Sequence, residues 1–516
     1  MHNLDLILLE NTSESQSEIE KRNNSIFTIQ ILKIAASEVR PIFTHGSAVR
    51  LPKKHTNLFK LISFIHHMLK EVEQFAQEFL KYSKDKPIRI ISHYDTDGIT
   101  SASILAKTFK RLDKKFSIKI VKGLEEDIIK KELARQPKDV IVFSDLASGS
   151  LDYFQNLAEP IFILDHHEID SSKLNDKIKI INAHLTESPE ENECTGAGVC
   201  YLFSKAISPN NQDLSPLAII GMIGDRHESN LSKINQQIVN DTHDLKIRKG
   251  IVLYPATRPL RRALEWSTSP YIPGVTGNGP GVQDLLREIG IGWDKSLLDL
   301  NDDEMSKLIT AVMIRRAQHD KVDDIIGNLY ILKFFNTKED VREISVLINA
   351  CSRLGYHDTA ITYCLGNEKA KARALDIYTE YKQELVSGLR VAEKMDKVRG
   401  KGFVILNAKD QIKDAIVGTI CSMLSSSPTY EEGTILIGMA YNEDKIKVSA
   451  RIVGREGRNL KEVLEKTVIQ FKAQNPETIA EVGGHHFAAG CLIEKEKEIS
   501  FIEALKKELE IEIVKI

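Results

Sequence analysis

The chain has 516 residues, 42% of them hydrophobic and 28% charged, with a formal net charge of -3. That length predicts roughly three domains, and the near-neutral balance excludes a global basic field, leaving local patches or bound cations to hold any nucleic acid. Six cysteines without a C-x-x-C pair, no signal-like leader and no apolar run near the ~20 residues of a membrane span point to a soluble, cytoplasmic protein with no membrane partner.

Residues 10–25 are polar and read as loose. From Asn57 to Tyr82, the residues Leu58, Leu61, Ile62, Ile65, Leu69, Val72, Phe75 and Phe79 recur at three- and four-residue steps, the period of an amphipathic helix. Residues 1–85 are therefore expected to form an N-terminal helical extension. From Pro87, short apolar runs alternate with helical stretches. Ile88–Ser92, Phe116–Val121, Val140–Phe143 and Ile161–Leu164 are predicted strands. Gly98–Arg111, Glu125–Ala134 and Ser150–Leu157 are predicted helices between them, with two more at 195–208 and 214–224. This alternation predicts an α/β domain over 86–235, with a parallel sheet covered on both faces.

Residues 236–398 are predicted to be a mostly helical insertion, interrupted at Pro270–Pro280 and ending in a long connecting helix over 366–398. From Arg399, strands are predicted at Phe403–Leu406, Thr434–Met439 and Ile446–Ile452, with helices at 411–424 and 459–471. They make a second, smaller α/β unit over 399–516, and the two lobes are expected to flank a cleft.

Four acidic groups fall at telling places in the first α/β unit. The first strand runs into His93-Tyr94-Asp95-Thr96-Asp97-Gly98, the third ends at Asp145, and the fourth ends at Asp165-His166-His167. The apolar helix LAIIGMIG ends at Asp225, followed by Arg226 and His227. Open α/β sheets place ligands at the carboxyl ends of their strands. A D-x-D alone is usually a turn or cap, and a His-His pair alone is usually a surface accident. All four groups in order on one sheet edge are another matter. Carboxylates gathered without counter-charge repel one another. Two divalent cations resolve that repulsion, and mixed oxygen and imidazole donors suit manganese, magnesium or zinc.

These motifs carry a resemblance. S-H-Y-D-T-D-G, Asp145, D-H-H at 165–167 and G-D at 224–225 resemble the motifs of the DHH phosphoesterases. Arg451 in K-V-S-A-R and the segment Gly483-Gly484-His485-His486-Phe487-Ala488-Ala489-Gly490 resemble the companion DHHA1 substrate-binding domain. The whole is most similar to the RecJ-like single-strand exonucleases, in their archaeal branch. The resemblance implies two Mn²⁺ or Mg²⁺ ions. One would sit on His93, Asp95 and Asp145, the other on Asp97, Asp145, His166 and Asp225. His167 would lie near the scissile phosphate, Asp165 would orient the histidines, and Arg451, Gly483, Gly484 and His485 would bind substrate. Arg226 and His227 depart from the bacterial pattern.

Basic residues are dense at 246–249 and at Arg258-Pro259-Leu260-Arg261-Arg262, with Tyr254 and Trp266 nearby. Such patches track phosphates, although charge runs are as often solvated faces. The leading expectation is an exonuclease on single-stranded DNA or RNA that acts 5′ to 3′ and releases 5′-mononucleotides. A small-nucleotide phosphodiesterase or oligoribonuclease is one alternative. A Cdc45-like replisome component is another, and association with the replicative helicase and its GINS partner is compatible with either enzyme or scaffold.

Overall fold

The computed structural model describes residues 53–510, apart from residues 187, 190–192, 230, 268–269, 317–324, 428, 455, 476 and 478–481, with side chains from Met68 onward. The expected loose stretch at 10–25 lies outside the described residues. The chain divides into two compact units, Met1–Leu61 and Ile62–Ile516, and the elements below belong to the second.

Residues 62–82 of the helix Lys53–Tyr82 belong to this unit. Its last turns bury Met68, Val72, Phe75 and Phe79 in the first core. There the ring of Phe79 meets Phe109, Phe162 and Phe203 at centroid distances of 5.4, 5.1 and 5.3 Å. The three- and four-residue spacing seen in the sequence is the stripe that makes these contacts.

Strands β1 (Ile88–His93), β2 (Phe116–Val121), β3 (Val140–Ser144), β4 (Ile161–Leu164) and β5 (Ile178–Ile181) form a sheet of order β2-β1-β3-β4-β5 in which every pairing is parallel. Side chains alternate across it. Ile90, Val142 and Phe162 join one core, while Ile91, Phe143 and Ile163 join the other. Both faces are covered, as a parallel sheet requires. β5 is not among the expected strands. It is a four-residue edge run with two half-buried positions, too short to register as a buried strand. The predicted helix at 150–157 is instead a 3₁₀ segment, Ser148–Phe154.

The insertion is mostly helical, as expected, but it also contains strands absent from the sequence-based expectation. Besides helices it holds an antiparallel sheet of β6 (Leu245–Ile251), β7 (Ile326–Phe334) and β8 (Thr337–Asp340). The charged run at 246–249 and the polar Thr337–Asp340 lack apolar alternation, so their pairing was not visible as a period of two. Arg248 is committed inside the lobe, donating to the carbonyls of Leu297, Leu298 and Leu300.

The long helix appears as Glu368–Lys394. Its first half contributes Ala370, Ala374 and Ile377 to the core of the parallel sheet. Its second half contributes Tyr381 and Ala392 to the core of the smaller lobe. One helix therefore fixes both lobes. The smaller lobe is a sheet of β9 (Val398–Gly400), β10 (Phe403–Lys409), β11 (Ile435–Asn442), β12 (Lys445–Ile452), β13 (Val482–His485) and β14 (Ala488–Glu494), in the order β13-β14-β12-β11-β10-β9. Only β10 and β11 pair in parallel. The helix Asp414–Ser425 covers one face, and Leu460–Gln474 with Glu498–Leu509 covers the other. Ion pairs tie the lobes together: Lys122 to Asp414 and Lys445 to Glu125, each at 2.8 Å.

All six cysteines are buried and unpaired. No helix among the described residues is long and apolar enough to cross a membrane.

Candidate metal centre

β1 and β3 are neighbours, whereas β2 lies on the far side of β1. Chain order reverses there, which opens a crevice at the carboxyl ends of these strands. His93 ends β1. Asp95 then caps the helix Thr96–Arg111 by accepting the Gly98 N–H at 3.0 Å, and Asp97 follows in the first turn. The turn is so tight that a Cβ on Gly98 would stand 2.2 Å from the His93 carbonyl oxygen. Asp145 follows β3 with a left-handed φ of 58°, a conformation that carboxylate and amide side chains tolerate best. Asp165 follows β4, and Asp225 ends the helix Ser215–Gly224.

These elements bring the expected residues together. His93 Nδ1 lies 2.9 Å from Asp95 Oδ2 and 3.6 Å from Asp145 Oδ2. His166 Nε2 lies 3.3 Å from Asp145 Oδ1, 3.4 Å from Asp225 Oδ2 and 3.9 Å from Asp97 Oδ2. Asp145 thus stands between two groups of donors. Atoms of His93, Asp95 and Asp145 come within 4.8 Å of one another, as do those of Asp145, His166 and His167, and those of His166, Asp225 and His227. Each set could hold a cation.

Asp165 plays a different part. It is fully buried, accepts the Ser148 N–H at 2.9 Å and the His166 N–H at 2.8 Å, and lies 2.8 Å from His167 Nδ1. It therefore fixes the ring of His167, while it reaches His166 through the backbone alone.

The electrostatics are those of a site short of positive charge. Burial, with Asp145 and Asp225 beside it, pushes the Asp97 carboxyl well above its usual range. Asp225 is raised by burial and by Asp95 and Asp145, against the pull of His166. Burial disfavours charged His93 and His166, yet the carboxylates outweigh it and raise both. Burial likewise opposes ionised Asp165, but His167, His166 and the Ser148 side chain hold its carboxyl low. Among the described residues of this crevice, five buried ligand atoms stand at ion-pair distance from one another yet make no aligned hydrogen bond: His93 Nδ1, Asp97 Oδ2, both Asp145 carboxylate oxygens and His166 Nε2. Buried polar atoms are seldom left this way, and five facing one crevice fit divalent cations.

Glycines set how closely the helices approach. A Cβ on Gly221 would lie 2.3 Å from Asp97 Oδ1, and one on Gly196 would lie 2.5 Å from Asp145 Cβ. The next residue, Ala197, donates its N–H to Asp97 Oδ1 at 3.1 Å. The sequence alone singles out neither glycine, since their neighbours lie far away in the chain.

The second lobe presents a basic row from β12. Lys447 Nζ stands 5.9 Å from the Tyr94 ring, as does the guanidinium of Arg353. Arg451, two pleats on from Lys447, donates to Ser422 Oγ at 2.8 Å. Of the glycine pair, Gly484 serves the hairpin itself: its φ is 123°, and a Cβ there would meet the Ala488 oxygen at 2.3 Å. Gly483 is exposed with nothing within 4 Å of a built Cβ. His485 lies on β13 beside it, and its side chain lies outside the described residues. His227 was read only as a departure from a pattern. Its place in the third donor set gives it a position at the site, and its ring meets that of His166 at 5.9 Å.

Comparisons with known proteins agree with this layout. Family models match three segments: the DHH family N-terminal domain over residues 87–224, the DHH-CID domain over 253–329 and the DHHA1 domain over 400–510. The uncharacterized protein MJ0831 of Methanocaldococcus jannaschii is 30% identical over 428 residues, covering 81% of this chain and 91% of that protein. In fold, the chain is similar to CDC45 of Entamoeba histolytica, with a TM-score of 0.62 and 12% identity over 85% of this chain and 99% of that one. It is also similar to RecJ of Thermus thermophilus in complex with Mn²⁺, with a TM-score of 0.52 and 18% identity over 86% of this chain and 55% of that one.

Proposed function

The chain belongs to the DHH family and carries a DHHA1 domain as its second lobe, and from that premise we propose that it is a metal-dependent phosphodiesterase that shortens single-stranded DNA from the 5′ end, releasing 5′-mononucleotides. The observation that carries this reading is the buried set of carboxylate and imidazole donors, without aligned hydrogen bonds, facing a basic row from the opposite lobe. DHH proteins are mostly metal-dependent phosphoesterases, and RecJ structures of similar fold hold manganese.

His93, Asp95 and Asp145 would hold one cation, and Asp97, Asp145, His166 and Asp225 the other, with Asp145 shared and His227 a further candidate. When bound, such ions supply a water of lowered pKa and charge to balance the developing phosphoryl oxygens. The protein's own groups do the rest. Asp165 accepts the Nδ1 proton of His167 and, against burial, raises the ring's pKa, favouring the imidazolium, whose Nε2–H would hydrogen-bond a phosphate oxygen or pass its proton to the leaving oxygen. Lys447, Arg451 and the open backbone at Gly483 would grip the neighbouring phosphates.

End-labelled twenty-residue strands of DNA and RNA, incubated with Mn²⁺, test this. The expected result is mononucleotide release from the 5′ end of DNA, abolished by EDTA. Absence of cleavage on every strand would remove the enzymatic reading, and turnover confined to dinucleotides would move it to the small-nucleotide class.

The likeness to CDC45 supports a second role for the same chain, a place beside the replicative helicase and its GINS partner. Every expected ligand position is filled here, which argues against a scaffold alone. Co-purification with GINS at low salt tests that association.

A further inference from the structure

One of the two exposed tryptophans of the insertion, Trp266, carries a feature that the metal centre does not use. The short helix Leu260–Glu265 ends at Trp266, whose indole is 58% exposed. Arg262 stands over that ring at 5.6 Å and Lys382, from the long helix, at 5.1 Å. Lys382 also lies 4.5 Å from the ring of Tyr378, one turn earlier on its own helix. The neighbouring cations are neutralised: Arg258 by Glu343 at 3.0 Å and Arg261 by Asp294 at 3.2 Å. Arg262 and Lys382 have no carboxylate within ion-pair distance among the described residues. Partial burial lowers the Lys382 pKa; Glu343 opposes this, and Arg258 and Arg262 add to it. Two cations thus flank one exposed aromatic ring, neither of them in an ion pair among the described residues.

The cluster is linked toward the metal centre by electrostatic influence. Arg226, next to Asp225, is exposed and acts electrostatically on Tyr254. Tyr254 in turn acts on Tyr378, and Tyr378 touches Lys382. Tyr378, Lys382 and Trp266 form the outer part of this series, with Lys382 between the two rings. Aromatics that stack bases, interleaved with cations that meet phosphates, are the way single strands are held without sequence preference. A duplex keeps its base faces stacked and cannot offer one.

Building on the strand cleavage argued above, we propose that Trp266 is a stacking site for a base of the single strand whose other part lies at the metal centre, with Arg262 and Lys382 meeting the adjacent phosphates.

The chain has two tryptophans, Trp266 and Trp293, so W293F leaves Trp266 as the sole indole reporter. The full chain, held in EDTA, is titrated with dT20 and with a blunt twenty-pair duplex. The expected result is fluorescence quenching by dT20 in W293F, little quenching in W266F, and little by the duplex. W266A should raise the Kd for dT20 about tenfold, and Lys382→Gln should lower its salt slope by about 0.7. An unquenched Trp266, equal quenching by duplex, or a W266A effect under about twofold overturns the proposal. The titration reads binding without turnover, so quenching without any cleavage in Mn²⁺ would sink the enzymatic reading and leave this site standing.

Discussion

Asp145→Asn is expected to lower kcat on single strands by about three orders of magnitude, on the order of 4 kcal/mol of barrier, without unfolding the protein. Asp145 is the one carboxylate whose two oxygens face both histidines, Oδ1 toward His166 and Oδ2 toward His93. Losing its charge weakens both donor sets together, where a change at Asp95 or Asp225 touches one. Asparagine tolerates the left-handed backbone at this position nearly as well as aspartate, and the Asp145 N–H still donates to the Leu164 carbonyl. Denaturant unfolding of the metal-free variant should therefore match the parent within about 1 kcal/mol. The stabilisation that saturating Mn²⁺ gives the parent, roughly 2.7 kcal/mol at a hundred times Kd, should be largely absent from the variant. A variant that retains a tenth of the parental kcat would mean that Asp145 does not join the two sets.

The second large effect is expected at a residue with no chemistry of its own. Gly221→Ala puts a methyl group 2.3 Å from Asp97 Oδ1, 2.6 Å from the Ala197 Cβ and 2.8 Å from the Thr100 Oγ1. Alanine is the better helix former by roughly 1 kcal/mol, but overpacking a buried helix crossing costs about 1–3 kcal/mol. The net stability change is therefore small or unfavourable. Activity suffers more, because displacing Asp97 by about 1 Å disturbs the positioning of the whole cluster, worth about a hundredfold in kcat. Gly123, with open space where its Cβ would stand, is the control. Gly123→Ala should leave both stability and kcat unchanged, and equal losses in the two variants would contradict the close-approach account.

The first lobe is readable in the sequence because its strands are apolar runs flanked by polar residues, and because each acidic motif follows such a run directly. Ile88–His93 and its helix, with the Asp145 and Asp165 strand ends, needed no tertiary knowledge. Other features depended on partners distant in the chain. The β6 to β8 sheet sets the apolar β7 between two more polar strands, and the β6 pairing is settled across a long stretch of chain, as Lys246 against Ile331 shows. Gly196 and Gly221 matter through atoms of Asp145 and Asp97, which a linear reading cannot place beside them. His227 joins His166 only because the end of the helix Ser215–Gly224 packs near the end of β4. The glycine pair at 483–484 was legible as a motif, yet one of its members turns out to serve the hairpin.

Every role assigned at the strand ends depends on paired cation binding there. Crystals of the full chain soaked in MnCl₂ and recorded at the manganese edge would show it directly. Two anomalous peaks about 3.5–4 Å apart are expected, both in contact with Asp145, one beside His93 and Asp95 and the other beside His166 and Asp225. Saturating Mn²⁺ that leaves this crevice without a peak, or gives one peak out of reach of Asp145, would contradict it.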